Sequence, residues 1–155
     1  MENLLKELKE ITESVPVKLE KEKRERLEKE RELDFMMTQE ITEKLIYNLK
    51  EAANLGKRKY TVLEASLFGD YSKRDKRYHY YDYGKCWDRF GEIYSKASDY
   101  HLCHDKEFLK KVIEQSQGVF KAVYKYCNDL KLNPIVRQFE DGVGDDGGFG
   151  IYIEW

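Results

Sequence analysis

The amino-acid sequence predicts an α+β domain: a small antiparallel sheet of about three strands, packed by helices and preceded by a charged helical arm. Three observations predict this class. Apolar residues recur at helical spacing in the first half and the middle of the chain. Short segments rich in β-branched and aromatic residues lie apart from these helical stretches, and two of them close the chain. Strands that are segregated from helices in this way are typical of α+β domains.

The N-terminal segment is predicted to form the arm. An amphipathic helix is expected over residues 1–13, with Leu4, Leu5, Leu8 and Ile11 on one stripe, and Pro16 is expected to interrupt it. Residues 18–32 (KLEKEKRERLEKERE) hold seven basic and six acidic side chains. Opposite charges recur four residues apart in the stabilising order, which predicts a solvated helix, while sustained heptad leucines are absent. We therefore divide the chain into an arm at 1–33 and a globular domain at 34–155.

The charged helix is predicted to continue beyond residue 32 and to contribute the first part of the core. It ends before Gly56, which suits the left-handed position that closes a helix. A strand follows at residues 60–67, because Tyr60, Thr61 and Val62 are good strand formers. The core face of this helix has apolar side chains at helical spacing: Phe35, Met37, Ile41, Leu45, Ile46, Leu49 and Ala53.

The segment after the polar loop 69–77 changes to helical spacing. Asp82 is a candidate N-cap for a helix that would continue to residue 97. Its inward-facing side chains are predicted to include Cys86, Trp87 and Phe90.

A longer helix and a hairpin are predicted to complete the domain. The helix covers residues 106–131, begins at the capping residue Asp105 and ends before Asn133-Pro134. Its core face has apolar side chains at helical spacing: Phe108, Leu109, Val112, Ile113, Val119, Phe120, Val123, Tyr124, Cys127 and Leu130. Residues 135–139 and 149–155 then form the two strands of a hairpin around the loop EDGVGDDGG.

Composition and charge limit the function classes. The chain has 155 residues, of which 41% are hydrophobic, so it can build one core. Its net charge of −2 offers no overall attraction to nucleic acid or to an anionic membrane. The three cysteines form no C-x-x-C pair, and no apolar run approaches the roughly 18 residues of a membrane span. We expect a cytoplasmic protein of a reducing compartment, without a signal peptide or a cofactor.

One segment carries a resemblance. Residues 41–65 (ITEKLIYNLKEAANLGKRKYTVLEA) are followed later by a helix and by a final strand that ends in Trp155. This pattern, which covers part of the chain, resembles small α+β accessory proteins encoded by phages and large DNA viruses. The resemblance implies an accessory role in a virus and transfers no functional residues.

A basic and aromatic segment is the candidate nucleic-acid surface. Residues 57–77 hold seven basic and three acidic side chains, a local charge of +4, and tyrosines follow directly. Proteins that bind nucleic acids combine basic grooves with aromatic platforms. The alternative is a polar loop with half-buried tyrosines. The candidate residues are Lys57, Arg58, Lys59, Arg74, Lys76, Arg77, Tyr78, Tyr80 and Tyr81.

An acidic loop near the C-terminus is the candidate protein-binding surface. Residues 135–155 carry one basic and five acidic side chains, a local charge of −4. The loop departs from the EF-hand pattern, so a contact with a basic partner surface is preferred to a calcium site. The alternative is a plain hairpin tip. The candidate residues are Glu140, Asp141, Asp145 and Asp146.

The cluster HLCHD, residues 101–105, is the third candidate. His101, Cys103 and His104 are metal-ligating residue types, and a thiol at a helix N-terminus can have a lowered pKa. Close neighbours rarely converge on one ion, and a nucleophile and its base normally come from separate segments. The alternative is a loop that leads into a helix.

These observations favour binding over catalysis. The leading hypothesis is a non-enzymatic accessory or inhibitor protein that acts through protein–protein contact, with the arm and the acidic loop as contact surfaces. The alternatives are a nucleic-acid-binding module that uses segment 57–81 and a metal or thiol enzyme around residues 101–104. A homodimer through the N-terminal helices is also predicted, because the charged stretch has no apparent partner within the chain.

Overall fold

The protein has the α+β fold that the sequence predicts. A computed structural model describes residues 2–66, 80–82, 86–88, 90–96, 105–140 and 147–155. Along this part of the chain the helices and strands are α1 (Glu2–Asn54), β1 (Lys59–Ser66), β2 (Tyr80–Asp82), α2 (Glu92–Lys96), α3 (Lys106–Glu114), α4 (Gly118–Asp129), β3 (Ile135–Glu140) and β4 (Gly147–Glu154).

The chain divides into two units, residues 1–36 and residues 37–155. Helix α1 contributes residues to both units. Neither α1 nor any other helix in the described ranges is long and apolar enough to cross a membrane. An arm at 1–33 that is separate from a globular domain at 34–155 stays a prediction.

The sheet has the strand order β2-β1-β4-β3. Strand β4 is antiparallel to both of its neighbours, β1 and β3, which gives the antiparallel sheet that the sequence predicts. Strands β3 and β4 form the predicted hairpin, with Ile135 opposite Tyr152. Ile151 and Ile153 of β4 are buried in the core. Strand β2 was not predicted, and it adds a short parallel edge beside β1.

The prediction of a helix from Asp82 to residue 97 is wrong for most of the residues that the structure describes in this range. Asp82 ends strand β2, Cys86 and Trp87 lie in a turn, and only Glu92–Lys96 is helical. Cys86 and Trp87 are buried as predicted, whereas Phe90 is 96% exposed. Aromatic residues and glycines have low helix propensity, so the helical spacing alone was not enough to form a helix here.

Helix α1 continues through Pro16, where the sequence predicted an interruption. A proline inside a helix removes one backbone hydrogen bond and costs about 3 kcal/mol. In the preceding turns the hydroxyls of Thr12 and Ser14 donate to the carbonyl oxygens of Leu8 and Ile11. Lys, Glu, Arg and Leu on both sides are good helix formers, and they allow the helix to continue past the proline.

Only part of the α1 face predicted as core is buried. Ile41 and Leu45 are buried, and Met37 and Leu49 pack against the core while remaining partly exposed. A helix beside a sheet buries one stripe of its surface, and residues outside that stripe face solvent. Three of the predicted core residues are exposed for this reason: Phe35, Ile46 and Ala53.

The long helix predicted over residues 106–131 is divided into α3 and α4. Asp105 caps α3 as predicted, and its Oδ1 accepts hydrogen bonds from the amides of Glu107 and Phe108 at 3.0 and 3.3 Å. Residues 115–117 separate the two helices, and Gly118 then takes a φ of 63°. A positive φ suits glycine and is incompatible with an uninterrupted helix.

The break between α3 and α4 allows Trp87 to enter the core. The amide of Ser116 donates three residues back rather than four, so the carbonyl of Val112 is left to accept from another donor. That donor is Nε1 of Trp87, at 3.0 Å. The amide of Gln117 donates to the carbonyl of Cys86 at 2.8 Å. These two bonds attach the turn at Cys86-Trp87 to both helices.

Aromatic rings meet at the centre of the core. The centroid of the Trp87 ring lies 4.7 Å from the ring centroid of Phe120 and 5.3 Å from that of Phe149. The rings of Trp87 and Phe149 are arranged edge to face. The rings of Phe108 and Phe149 are 6.0 Å apart. Each such pair contributes about 0.5–1.5 kcal/mol beyond its buried area.

Helices α1 and α4 are followed by residues in the same left-handed conformation. After α1, Gly56 has a φ of 78°, as the sequence predicts. After α4, Lys131 takes the equivalent position with a φ of 58°. The amides of Lys131 and Leu132 donate to the carbonyls of Asn128 and Cys127, the pattern of a Schellman motif.

We expect Lys131→Gly to raise the free energy of unfolding by about 0.5–1 kcal/mol, because glycine adopts this positive φ without the steric cost of a Cβ atom. The matched change is Gly56→Ala, expected to lower it by about 1 kcal/mol. No atom lies within 4 Å of the added Cβ at Gly56, so backbone conformation alone sets that cost. Urea unfolding measures both variants, and a destabilised Lys131→Gly would contradict the left-handed cap.

Trp87→Phe is expected to lower the free energy of unfolding by about 1–3 kcal/mol through the lost hydrogen bond, in addition to the cost of the smaller ring. The physical reason is the buried carbonyl of Val112, which would be left without its donor. Urea unfolding measures the change. Phe90→Ala is the control, and its effect should stay within about 0.5 kcal/mol because the side chain is exposed. Equal losses at the two positions would contradict the structure.

Candidate functional site

Most residues of the three predicted sites lie outside the described part of the chain, so those sites stay predictions. Of the acidic set, only Glu140 lies within the described ranges, and the three residues of the His-Cys cluster lie wholly outside them. The residues concerned are Asp141, Asp145, Asp146, Arg74, Lys76, Arg77, Tyr78, His101, Cys103 and His104.

The described members of the nucleic-acid set fall into two groups. Tyr80 and Tyr81 lie in β2, opposite Glu64 and Ala65 of β1. The basic members are exposed and lie just before β1 or at its first residue: Lys57, Arg58 and Lys59. The two groups are therefore at opposite ends of β1, roughly 17 Å apart at about 3.4 Å per residue. A nucleic-acid surface that includes both groups stays a prediction.

Glu140 is the one member of the acidic set within the described ranges. It is the last residue of β3 and lies opposite Gly147 of β4. This position places its backbone in the ladder at the end of the hairpin, directly before residues 141–146. A contact role for the loop remains a prediction from charge.

The described thiols belong to the core. Cys86 and Cys127 are both buried there. Burial raises the pKa of the Cys127 thiol to about 11, which keeps it protonated at neutral pH and makes it a poor nucleophile. Among the described residues, no group of three or more His, Cys, Asp or Glu side chains could hold a metal ion.

A surface that the sequence analysis recognised only in part lies on the N-terminal part of α1. Every side chain from residue 3 to residue 29 is exposed. Five large apolar side chains among them recur at spacings of three or four residues, so they share one face of the helix. We call this face the apolar stripe: Leu4, Leu8, Ile11, Val15 and Leu19, with exposed fractions from 45% to 60%.

The continuity of α1 past Pro16 creates this stripe. The sequence pattern placed Leu4, Leu5, Leu8 and Ile11 on one stripe but ended the helix at residue 13. Because the helix continues, Val15 and Leu19 extend the same face by two turns. The signal that was available is the repeated spacing of apolar residues on both sides of the proline.

The apolar stripe is a contiguous row of exposed apolar side chains. Single exposed apolar residues are normal on protein surfaces, whereas a contiguous row of them marks an interaction site. Each side chain is about half exposed, so covering it would contribute roughly 1 kcal/mol. The stripe as a whole therefore offers several kcal/mol to a molecule of matching shape.

Two charged residues lie on one border of the apolar stripe. Glu7 is three residues from Leu4 and four from Ile11, and Lys18 is three residues from Val15. Residues at these spacings are neighbours on a helix surface. The opposite border carries no charge over the same turns, since it holds Leu5 and Thr12. The stripe thus has a charged side and an uncharged side.

A hydrogen-bonded pair, Tyr152 and Glu64, lies on the face of the sheet opposite to Ile151 and Ile153 and has a structural role. The hydroxyl of Tyr152 donates to Oε1 of Glu64 at 3.0 Å, and the Tyr152 side chain is almost fully buried. A Cβ atom at Gly150 would lie about 2.5 Å from the Tyr152 hydroxyl, so the Tyr152 ring would have to shift if residue 150 carried a side chain. Nζ of Lys59 lies 5.8 Å from the centre of the Tyr152 ring. These contacts pair β1 with β4.

A charged group on the surface joins α2 to α3. Oε1 of Glu92 accepts hydrogen bonds from Nζ of Lys96 at 2.8 Å and from Nζ of Lys111 at 3.2 Å. These bonds, that of Lys96 first, lower the pKa of Glu92 to about 2. Exposed ion pairs of this kind are weak, so the group orients α2 rather than determining the fold.

Comparisons of the chain with protein-family models, with curated proteins and with solved structures find no match. The resemblance to accessory proteins of phages and large DNA viruses therefore stays an expectation from the sequence pattern. Among the described residues, the apolar stripe is the surface whose chemistry points most directly to a partner.

We expect acid to remove the stabilisation that Glu92 contributes. Its pKa in the folded protein lies below the ordinary value of 4.5, so the contribution is present above pH 4.5 and is lost as the pH falls toward 2. Glu92→Gln should therefore be less stable than the unaltered protein at pH 7, and the difference should shrink as the pH falls from 4.5 to 2. Urea unfolding over a pH series measures this difference.

The control for that series is Glu40→Gln. Glu40 pairs with Lys44 at 3.7 Å, and both side chains are more than 60% exposed. A difference for Glu92→Gln that stayed constant with pH, or that Glu40→Gln reproduced, would contradict the role assigned to Glu92.

Proposed function

We propose that this protein is a non-enzymatic accessory or inhibitor protein that acts by protein–protein binding, with the apolar stripe of α1 as a contact surface. The observation that supports the proposal is a row of half-exposed Leu, Ile and Val side chains on one face of a helix. Amphipathic helices bind apolar grooves or other helices through anchors at this spacing. The accessory role in a virus rests on the resemblance of residues 41–65.

The rest of the helix suits this function. Residues 18–32 combine seven basic and six acidic side chains, so they stay solvated and favour helix without a large net charge. They hold the apolar stripe on a rigid helix, so less conformational entropy is lost when a partner binds. Glu7 and Lys18 on the border of the stripe supply specificity for charges on a partner.

A second contact at the acidic loop belongs to the same proposal. It would use Glu140, Asp141, Asp145 and Asp146 against a basic surface, and it rests on the local charge of −4. The two contacts are chemically different, because the stripe would bind through apolar area and the loop through charge. Salt should therefore weaken a contact at the loop more than one at the stripe.

The double variant Leu8→Glu/Val15→Glu is expected to lower partner binding by more than about tenfold, since two carboxylates would have to lose water in an apolar interface. The tagged full chain serves as bait in a nuclease-treated extract of the native host that also contains the untagged chain. Quantitative mass spectrometry then compares the captured proteins.

The matched control is Val17→Glu/Phe35→Glu. Both residues are exposed, at 70% and 69%, and both lie on the opposite side of α1 from the apolar stripe. The control should capture the same proteins as the unaltered chain. Equal capture by the stripe variant, with circular dichroism showing that both variants are folded, would contradict the proposal.

A further inference from the structure

We infer that the apolar stripe of α1 pairs with the same stripe of a second copy of the chain in antiparallel orientation. The inference rests on the proposed function, because it names the partner of the same surface. Three features of residues 4–19 support a second copy as the occupant: the spacing of the apolar residues, the placement of charge and the area available.

The spacing is compatible with self-pairing about a two-fold axis. In an antiparallel pair that overlaps residues 4–19, Leu4 lies opposite Leu19 of the other copy, and Leu8 lies opposite its Val15. Ile11 lies close to the axis, beside Ile11 of the other copy. Every residue of the apolar stripe therefore meets an apolar residue, which is the self-complementarity that a two-fold interface requires.

The charged border is complementary in the same register. Antiparallel pairing brings the same border of each helix together, so Glu7 approaches Lys18 of the other copy. Lys18 is offset by two residues, about 3 Å along the axis, from the point directly opposite Glu7, which a lysine side chain can span. Symmetry forms this contact twice. On the uncharged border, Leu5 lies beside Leu19 of the other copy.

A parallel pair lacks this complementarity. It would place the border with Glu7 and Lys18 against the border with Leu5 and Thr12, where no opposite charge is available. The charge pattern thus favours the antiparallel orientation over the parallel one.

The area fits a reversible dimer. The overlap of residues 4–19 is about 24 Å long. Two such faces would bury on the order of 1,000 Å², which is near the lower limit for a specific interface. We therefore expect a dimer that forms at micromolar concentration and dissociates on dilution.

Sedimentation velocity on the purified full chain tests the inference, over about 1 to 300 µM because a modest interface requires that range. The expected result is a species of 18.6 kDa at low concentration that shifts to twice that mass at high concentration. Leu8→Glu/Val15→Glu should stay monomeric throughout, and Val17→Glu/Phe35→Glu should dimerise like the unaltered chain.

Charge reversal tests the orientation. Glu7→Lys and Lys18→Glu should each weaken the dimer by about threefold to tenfold, because like charges then meet twice across the axis. The combined variant Glu7→Lys/Lys18→Glu should restore the original affinity, since the pair is re-formed with reversed sign.

The outcomes separate this inference from the proposed function. A monomer at all concentrations overturns the inference, and if capture of another protein still depends on the stripe, the proposed function stands. A dimer that the stripe variant does not weaken also overturns the inference. A stripe-dependent dimer that ignores charge reversal overturns the antiparallel register. If the unaltered chain stays monomeric and its capture of other proteins does not depend on the stripe, both the inference and the proposed function are contradicted.

Discussion

The hydrogen bond from the indole of Trp87 to the carbonyl of Val112 is the contact on which the arrangement of the unit 37–155 depends. The carbonyl would accept from Ser116 if α3 continued, so the helix has to end where the indole enters. The ring then meets Phe120 of α4 and Phe149 of β4. One side chain from a turn therefore joins two helices and the sheet.

This contact explains why a regular pattern predicted one helix where the protein has two. Phe108, Val112, Val119 and Phe120 are buried as their helical spacing predicted. The spacing of apolar residues indicates which side chains face the core. The same spacing is compatible with one continuous helix or with two helices that each turn an apolar face to the core. The partner of the Val112 carbonyl is 25 residues away, so local periodicity carries no information about it. The glycine at 118 was the local signal of a break.

Features set by neighbouring residues were predictable, and features set by distant ones were not. The cap at Asp105, the left-handed Gly56 and the β3–β4 hairpin depend on residues within a few positions, and all three are confirmed. Strand β2 exists through its pairing with β1, which no local pattern indicates. Trp87 and Phe90 fitted one helical stripe equally well, but only an indole has an N–H group to donate to a buried carbonyl.

The extent of the apolar stripe depends on the continuity of α1 past Pro16. The unfavourable free energy of a proline inside a helix, about 3 kcal/mol, predicts an end at Pro16 when it is considered alone. The flanking residues are good helix formers over many positions, and α1 continues through the proline. Because α1 is continuous, Val15 and Leu19 lie on the same face as Leu4, and the apolar stripe spans several turns. A break at Pro16 would separate these residues into two faces, and neither would offer the area that a specific interface requires.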